Sequence, residues 1–274
     1  MKAVTLQNKA SLNVLRAKHL DMCFGVRDAI TLAKRVVKSR RLTALGELVH
    51  NATVLDDLRG EGVQFETLAS DVKTETVMIT AHGASNRNKV RAWESGLKLR
   101  DATCPLVHHA HKQVRQLVED GYHPVVIGRR GHVEVRGLTE DLSEHDVVLS
   151  EDDIHSLSLR RRYGVVAQTT QPIARVHELV DYLKNRFPAA EVRFVDTVCQ
   201  PTKQRQSAAV ELAKRSDVVL VVGGANSNNT HELAKTCREY CAEVHHVQGP
   251  GDVRSEWLAV SGTLGLTAGT STPD

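Results

Sequence analysis

The stretch that decides the fold runs from residue 23 to residue 46 and reads CFGVRDAITLAKRVVKSRRLTALG. It opens with a cysteine, continues with apolar residues spaced three and four apart, and ends in a short apolar run closed by a glycine. The first pattern is typical of an amphipathic helix and the second of a buried strand. The apolar helical positions are Val26, Ala29, Ile30, Ala33, Val36 and Val37. We therefore predict a helix–strand unit that begins at Cys23.

The same unit occurs twice more along the chain. Cys104 and Cys199 each precede a helical pattern, and the apolar runs that follow end at Gly128 and Gly223. The intervals from cysteine to glycine are 23, 24 and 24 residues. A second predicted helix and strand complete each unit, and the strands end in polar tips within VMITAHG, VVAQTT and LGLTAG. Such a repeat predicts three related α/β units with parallel strands.

The repeat predicts an α/β fold of three lobes related by pseudo-threefold symmetry, each with a small parallel sheet. Candidate boundaries fall before the similar segments Asp101-Ala-Thr-Cys104 and Asp196-Thr-Val-Cys199. We accordingly divide the chain into lobe 1 (1–97), lobe 2 (98–196) and lobe 3 (197–274). Functional groups collect at the carboxyl ends of parallel strands, so three cysteines and six polar tips are expected to meet at a common centre.

Composition excludes several broad classes of protein. Of the 274 residues, 41% are hydrophobic and 25% charged, which disfavours disorder, and a net charge of +3 gives no reason to expect a nucleic-acid partner. No apolar run is long enough to cross a bilayer, and the first 20 residues lack the apolar segment of a secretory signal. Five widely spaced cysteines do not form a disulfide framework. We therefore expect a cytoplasmic protein with reduced thiols and no membrane association.

Three equivalent thiols are the natural ligands of a soft metal centre. Cysteine is the usual ligand of iron–sulfur clusters, and a [4Fe-4S] cluster held by three cysteines would keep one iron free for substrate. A zinc site with His50, His82 or His132 as fourth ligand is an alternative, although the paired cysteines typical of zinc sites are missing from the sequence. Buried structural cysteines are the other alternative.

The polar tips are rich in neutral hydrogen-bond donors, which suit a phosphorylated ligand at helix N-termini. Their members are His50, Asn51, His82, Ser85, His132, Thr169, Thr170, Ser227, Asn228, Asn229, Thr230, Ser271 and Thr272. Each of them could instead serve only as a helix cap. Glu134 is the single carboxylate among the tips, and a lone acid beside a metal and a hydroxyl-bearing substrate suits proton delivery.

Several short motifs, in order along the chain, resemble the 4-hydroxy-3-methylbut-2-enyl diphosphate reductase (LytB/IspH) family. They are CFGV at Cys23, LGELVHN ending at Asn51, TAHG ending at Gly83, DATCPLV at Cys104, GHVEV at Glu134, QTT ending at Thr170, TVC ending at Cys199 and the final TAGTSTPD. The match runs from about residue 20 to residue 274.

The resemblance implies a cloverleaf-like α/β fold around a central [4Fe-4S] cluster on Cys23, Cys104 and Cys199. It implies a reductive dehydroxylation that gives isopentenyl and dimethylallyl diphosphates, with electrons from a ferredoxin or flavodoxin. By the same resemblance Glu134 supplies the proton, and Thr169 and His132 support it. The diphosphate would be held by His50, His82, Ser227, Asn228, Asn229 and Ser271.

The sequence departs from the family pattern at a few positions near these residues. Asp21-Met22 replaces a Gly-Phe pair, Asp28 stands where an arginine is usual, Val133 replaces a proline, and Asn228 replaces a serine. These departures keep two alternatives open. One is an iron–sulfur paralogue of the same fold that acts on another small phosphorylated or allylic molecule, and the other is a non-catalytic cluster-based sensor.

Overall fold

Three parallel sheets form the framework of the chain in the computed structural model, which describes residues 12–259 and 262–273. The strands of the described residues are, in chain order, β1 (Asn13–Arg16), β2 (Leu42–Leu45), β3 (Val63–Glu66), β4 (Thr76–Ile79), β5 (Lys98–Asp101), β6 (His123–Ile127), β7 (Asp146–Val148), β8 (Arg162–Ala167), β9 (Glu191–Phe194), β10 (Val218–Val222), β11 (Glu243–Val247) and β12 (Thr263–Ala268). Each sheet contains four of these strands, all pairing in parallel. The predicted α/β fold with three small parallel sheets is therefore confirmed.

The three sheets share one strand order. The orders are β3-β2-β4-β5, β7-β6-β8-β9 and β11-β10-β12-β1. In the third sheet the fourth position is filled by β1, which pairs with β12 in the register Asn13 to Thr263. The repeat therefore closes on itself, because a strand that precedes the first unit completes the sheet of the third.

Helices cover these sheets and begin where the repeat predicted. The α-helices are α1 (Phe24–Val37), α2 (Ala52–Gly60), α3 (Asn86–Glu94), α4 (Pro105–Glu119), α5 (Val133–Thr139), α6 (Glu151–His155), α7 (Ile173–Arg186), α8 (Gln200–Ala213), α9 (Asn228–Arg238) and α10 (Ser255–Ala259). Cys23, Cys104 and Cys199 are the N-cap residues of α1, α4 and α8. None of the helices that the described residues form has the length and apolar character needed to cross a lipid bilayer.

Sheet membership differs from the predicted lobe boundaries at two places. Strand β1 lies in the sheet of lobe 3, although its residues fall within 1–97, and β5 at 98–101 completes the sheet of lobe 1. Residues 1–11, also assigned to lobe 1, lie outside the described residues. The difference arises because β1 and β5 are short edge strands, NVLR and KLRD, whose residues are mostly exposed. Such strands carry no apolar run that a sequence pattern would reveal.

Each lobe has its own apolar core. Leu42, Leu48 and Met78 are fully buried in lobe 1, and Tyr163 with Leu179 fills lobe 2. The core of lobe 3 contains Val219, Val221, Leu233 and the buried thiols of Cys237 and Cys241. These separate cores leave the carboxyl ends of the strands free to meet between the lobes.

Candidate active site

The three cysteines occupy equivalent junctions between consecutive lobes. In each case the cysteine amide donates a hydrogen bond of 3.0 Å to a carbonyl two residues past the end of a strand of the preceding lobe. The pairs are Cys23 with Thr270 past β12, Cys104 with Ala81 past β4, and Cys199 with Thr169 past β8. The pseudo-threefold repeat of the sequence is thus reproduced at the level of single hydrogen bonds.

Two of these junctions are held by an aspartate that precedes the cysteine. A carboxylate oxygen of Asp101 accepts the amide of Thr103 at 2.9 Å, and Asp196 accepts the amide of Val198 at 3.1 Å. Both aspartates lie three residues before their cysteine, which explains why Asp101-Ala-Thr-Cys104 and Asp196-Thr-Val-Cys199 look alike. These turns fix the direction in which the chain enters α4 and α8.

The thiols lie close together and partly buried. A Cβ atom placed on Gly25 would lie 2.4 Å from the Cys104 Sγ, so the first turn of α1 directly contacts the cysteine of the next lobe. Burial raises the pKa of the Cys23 and Cys104 thiols, and it raises the pKa of Cys199 to about 11. Without a metal the thiols therefore hold their protons, and a bound cation would be needed to deprotonate them.

Three histidines from the tips of lobes 1 and 2 form one cluster. The rings of His50 and His82 stack with centroids 4.2 Å apart, and His132 meets them edge-on at 5.3 and 5.8 Å. Desolvation lowers the pKa of His82 well below its usual range and that of His132 to about 4. The Nε2 atom of His50 and the Nδ1 atom of His82 are buried and have no hydrogen-bond partner among the described residues. The rings of His82 and His132 are therefore neutral at neutral pH, and the cluster offers unused polar atoms.

Glu134 is the buried acid of the site. Only 2% of it is exposed, and its carboxylate accepts hydrogen bonds from the Thr169 amide at 2.7 Å and the Thr169 hydroxyl at 3.0 Å. Burial raises the pKa of Glu134 to about 7, against the opposing effect of the Thr169 bonds. Its own amide donates to Nδ1 of His132 at 3.2 Å, which leaves Nε2 of that ring to carry the proton. Glu134, Thr169 and His132 thus form one connected group.

The predicted residues of lobe 3 are buried beside this group. Ser227 caps α9 through the Thr230 amide, and Asn229 accepts the Thr270 amide at 3.0 Å. The hydroxyl of Ser271 donates to the backbone carbonyl of His50 at 3.2 Å, which connects lobe 3 to the histidine cluster. All three side chains are at least nine-tenths buried. Asn228, the departure from the family pattern, donates instead to the Thr170 hydroxyl of lobe 2 at 3.1 Å.

The geometry gives no support to the zinc alternative. Among the residues that the structure describes, no three side chains of His, Cys, Asp or Glu converge on a position for a single metal ion. The thiols stand at the N-caps of α1, α4 and α8, and the histidines follow strands β2, β4 and β6.

Arg205 is a residue of this centre that the sequence reasoning missed. It lies on α8 and is 3% exposed, and it donates hydrogen bonds to carbonyls that surround Cys23. A signal was available, because Thr202, Arg205, Ala209 and Leu212 fall on one helical face and are all buried. A charged residue in an apolar stripe is the sign of a buried polar contact.

Comparisons with known proteins identify chains that are similar over almost the whole length. The family model described as LytB protein matches residues 14–274. The 4-hydroxy-3-methylbut-2-enyl diphosphate reductase of Pelobacter propionicus is 34% identical over 96% of this chain and 94% of its own length, and that of Geobacter sp. strain M21 is 36% identical over 96% and 93%.

Two solved structures of such reductases are similar over nearly the whole chain. The E-1-hydroxy-2-methyl-but-2-enyl-4-diphosphate reductase of Plasmodium falciparum has a TM-score of 0.90 at 27% identity and covers 95% of this chain and 84% of its own. An (E)-4-hydroxy-3-methyl-but-2-enyl diphosphate reductase, described as the terminal enzyme of the non-mevalonate pathway, has a TM-score of 0.68 at 33% identity, with coverages of 96% and 95%.

Proposed function

Because the chain belongs to the LytB family, we propose that it is a reductase of 4-hydroxy-3-methylbut-2-enyl diphosphate. The reaction breaks the allylic C–O bond, consumes two electrons and two protons, and releases water with isopentenyl or dimethylallyl diphosphate. The observation that carries the proposal is the convergence of three equivalent cysteine junctions with the Glu134 group and the histidine cluster.

We propose Cys23, Cys104 and Cys199 as ligands of an iron–sulfur cluster of the [4Fe-4S] type. The chain fits such a group, because the three thiols stand at the N-caps of α1, α4 and α8 and Gly25 leaves room beside the Cys104 sulfur. When bound, the cluster would supply the electrons and a Lewis-acidic iron for the substrate hydroxyl. Helix N-termini favour the negative charge of the thiolates that hold it.

Glu134 is the proposed proton donor of the reaction. With a pKa of about 7 it retains a proton at neutral pH that an exposed carboxyl would have lost, and it lies beside the junction at Thr169 that holds Cys199. The Thr169 hydroxyl orients the carboxyl group, and His132 receives the Glu134 amide and fixes the start of α5. These three residues hold and deliver the proton that leaves with the hydroxyl oxygen as water.

The diphosphate is assigned to the histidine cluster and the buried tips of lobe 3. The unpartnered nitrogens of His50 and His82, the amide of Asn229 and the hydroxyls of Ser227 and Ser271 are donors of the kind that phosphate oxygens accept. The N-terminus of α9 at Ser227 adds a favourable dipole for an anion. Asn228 is included in the set as a neighbour whose amide holds the Thr170 hydroxyl of lobe 2.

A ferredoxin or flavodoxin is the proposed electron donor, as the resemblance to the reductase family implies. We also assign the protein to the cytoplasm, where its five cysteines, all free, remain reduced.

The test is an anaerobic assay of the reconstituted protein with reduced viologen dye and 4-hydroxy-3-methylbut-2-enyl diphosphate. Substrate-dependent oxidation of the dye with formation of the two C5 diphosphates is the expected result. A fully loaded cluster without turnover on this substrate would contradict the proposal and favour a paralogue or a sensor. Cys104→Ser is the control for cluster ligation, because the brown colour should be lost.

A further inference from the structure

Arg205 is a buried cation at the centre of the molecule. Its guanidinium donates to the carbonyls of His19 at 3.2 Å, Ala268 at 2.9 Å and Asp21 at 2.6 Å. Its Nε atom is buried and has no hydrogen-bond partner within residues 12–259 and 262–273. A guanidinium stays charged in a protein. This positive charge is therefore buried with only backbone carbonyl groups as its hydrogen-bond partners.

No carboxylate of the described chain forms an ion pair with Arg205. The side chain of Asp21 is exposed, and the contact to that residue is made through its backbone carbonyl. An uncompensated charge in the interior is costly, and buried charges are normally paired or placed beside a metal centre. The Asp21 carboxylate acts on Arg205 only through space, so the guanidinium has no ion-pair partner among the described residues.

Three groups lie within electrostatic range of Arg205: Cys23, the exposed carboxylate of Asp21, and Cys199. Its hydrogen bond to the Asp21 carbonyl places the guanidinium beside the segment that leads into Cys23. Cys199 lies at the start of the same helix, α8, and is within electrostatic range of the guanidinium. Arg205 thus lies within electrostatic range of two of the three proposed ligands, where a negatively charged cluster would compensate its charge.

The hydrogen bonds of Arg205 also connect two lobes. His19 and Asp21 belong to the segment that carries Cys23, and Ala268 ends β12, two residues before the carbonyl that receives the Cys23 amide. One side chain from the helix of Cys199 therefore fixes the segment of Cys23. The contact at Asp21 is made to the backbone carbonyl and does not depend on which side chain stands at that position.

We propose that Arg205 is a positioning residue of the cysteine centre whose charge compensates the iron–sulfur cluster and raises its reduction potential. This inference rests on the proposed function only in requiring the cluster. Net charge near an iron–sulfur cluster is one of the factors that set its potential. A nearby cation favours the reduced, more negative cluster, so removal of the charge makes the cluster harder to reduce.

The test compares the reconstituted full-length protein with Arg205→Gln, Arg205→Lys and Arg162→Gln. Arg162 is a matched control, since it also donates to a backbone carbonyl, that of Asp120 at 2.7 Å, but on the sheet of lobe 2 away from the cysteines. Iron and sulfide per chain are measured first, followed by the midpoint potential in an anaerobic spectroelectrochemical titration. We expect a more negative potential in Arg205→Gln, a potential near the wild-type value in Arg205→Lys, and no change in Arg162→Gln.

Two results overturn the inference. One is a fully loaded Arg205→Gln protein with the wild-type potential, and the other is an equal shift in Arg205→Lys and Arg205→Gln, which would make charge irrelevant. If Arg205→Gln fails to load, full loading of Arg205→Lys supports a requirement for charge and failed loading of both contradicts it. A wild-type protein that takes up no iron would instead refute the proposed cluster itself, so the two failures are distinguishable.

Discussion

At the scale of single residues, Glu134 owes its chemistry to burial opposed by hydrogen bonding. Desolvation raises its pKa to about 7, and two donors from Thr169 act in the opposite direction. The resulting pKa leaves the carboxyl group partly protonated at neutral pH, as the proposed proton donor to a leaving hydroxyl requires.

Replacement of Glu134 by Gln should lower turnover about 10²–10⁴-fold, the usual contribution of a positioned general acid. The amide keeps the shape of the side chain, so iron content should match that of the wild type. Viologen oxidation and iron content measured on one preparation check this. Unchanged turnover would remove Glu134 from the proposed mechanism.

The pH dependence of the reaction should reflect the same group. Because the acid must be protonated, kcat/KM should fall as the pH rises through about 7. Thr169→Val removes a hydroxyl that lowers the pKa of Glu134, so the descending limb should move to higher pH. Profiles of kcat/KM against pH for both proteins give the measurement, and coincident limbs would argue against this assignment.

Binding of inorganic diphosphate should be accompanied by proton uptake. Burial lowers the pKa of His82 and His132 in the free protein, and a nearby anion raises it again. Affinity should therefore increase as the pH falls toward about 4, the pKa of His132 in the free protein. Calorimetry in two buffers of different ionisation enthalpy counts the protons. His132→Asn, which can still accept a hydrogen bond from the Glu134 amide, should take up fewer protons on diphosphate binding. An equal proton uptake would exclude His132 as a group that gains a proton.

Residue types and their spacing predicted which residues lie near one another, whereas tertiary packing determines the direction and the burial of their side chains. The equivalent cysteine positions and the polar tips are visible in the sequence, and the structure brings their side chains together. The direction of Asn228 toward Thr170 and the burial of Arg205 depend on neighbours that are distant in sequence. No local pattern contains that information.

At the scale of secondary-structure elements, the helices that begin at cysteines were predictable and the edge strands were not. Helices α1 and α4 carry long apolar stripes, and the central strands β6, β8 and β10 are apolar runs. The apolar buried residues of α8 lie in its second half, as Ala209 and Leu212 show. Strands such as β3 and β9, with the sequences VQFE and EVRF, alternate polar and apolar residues over only four positions. Their pairing follows from the sheet beside them and not from their own composition.

The first turn of α1 offers a test of helix placement. In Gly25→Ala the added Cβ would lie 2.4 Å from the Cys104 Sγ, so α1 or Cys104 must move and cluster loading should fall. Alanine is otherwise better than glycine in a helix by about 1 kcal/mol.

Gly60→Ala is the matched control, because Gly60 ends α2 and has no atom within 4 Å of an added Cβ. It should leave loading unchanged. The iron and labile sulfide contents per chain are the measurement. Equal cluster loading in the two variants would show that α1 tolerates the displacement that the added Cβ of Gly25→Ala requires.

At the scale of the whole molecule, the lobes are joined at the centre by backbone contacts. A Cβ on Gly224 of lobe 3 would lie 2.2 Å from the backbone oxygen of His50 in lobe 1. Ser271 donates to the same oxygen, so one carbonyl connects two segments of lobe 3 to lobe 1. The positions of the histidine cluster and of the lobe 3 tips are therefore coupled.

Gly224→Ala should separate the two lobes and weaken both stability and anion binding. Overpacking of this kind costs about 1–3 kcal/mol, and in this case the contacted atom belongs to the backbone and cannot rotate away. Thermal unfolding and titration with inorganic diphosphate are the measurements. Gly251→Ala, also in lobe 3 but with open space around an added Cβ, is the control. Identical affinities in the two variants would contradict the proposed coupling.

The pairing of β1 with β12 determines at what stage of translation the fold can be completed. Strand β1 emerges with the nascent chain long before β12, its ladder partner in the third sheet. The carbonyl of Thr270 that receives the Cys23 amide emerges later still. Lobes 1 and 2 can therefore fold during translation, whereas the third sheet and the first cysteine junction must wait for the segment that contains β12 and Thr270. On the proposed ligation, iron can enter the complete three-thiol centre only after that segment has been made, so cofactor insertion would follow synthesis of the third lobe.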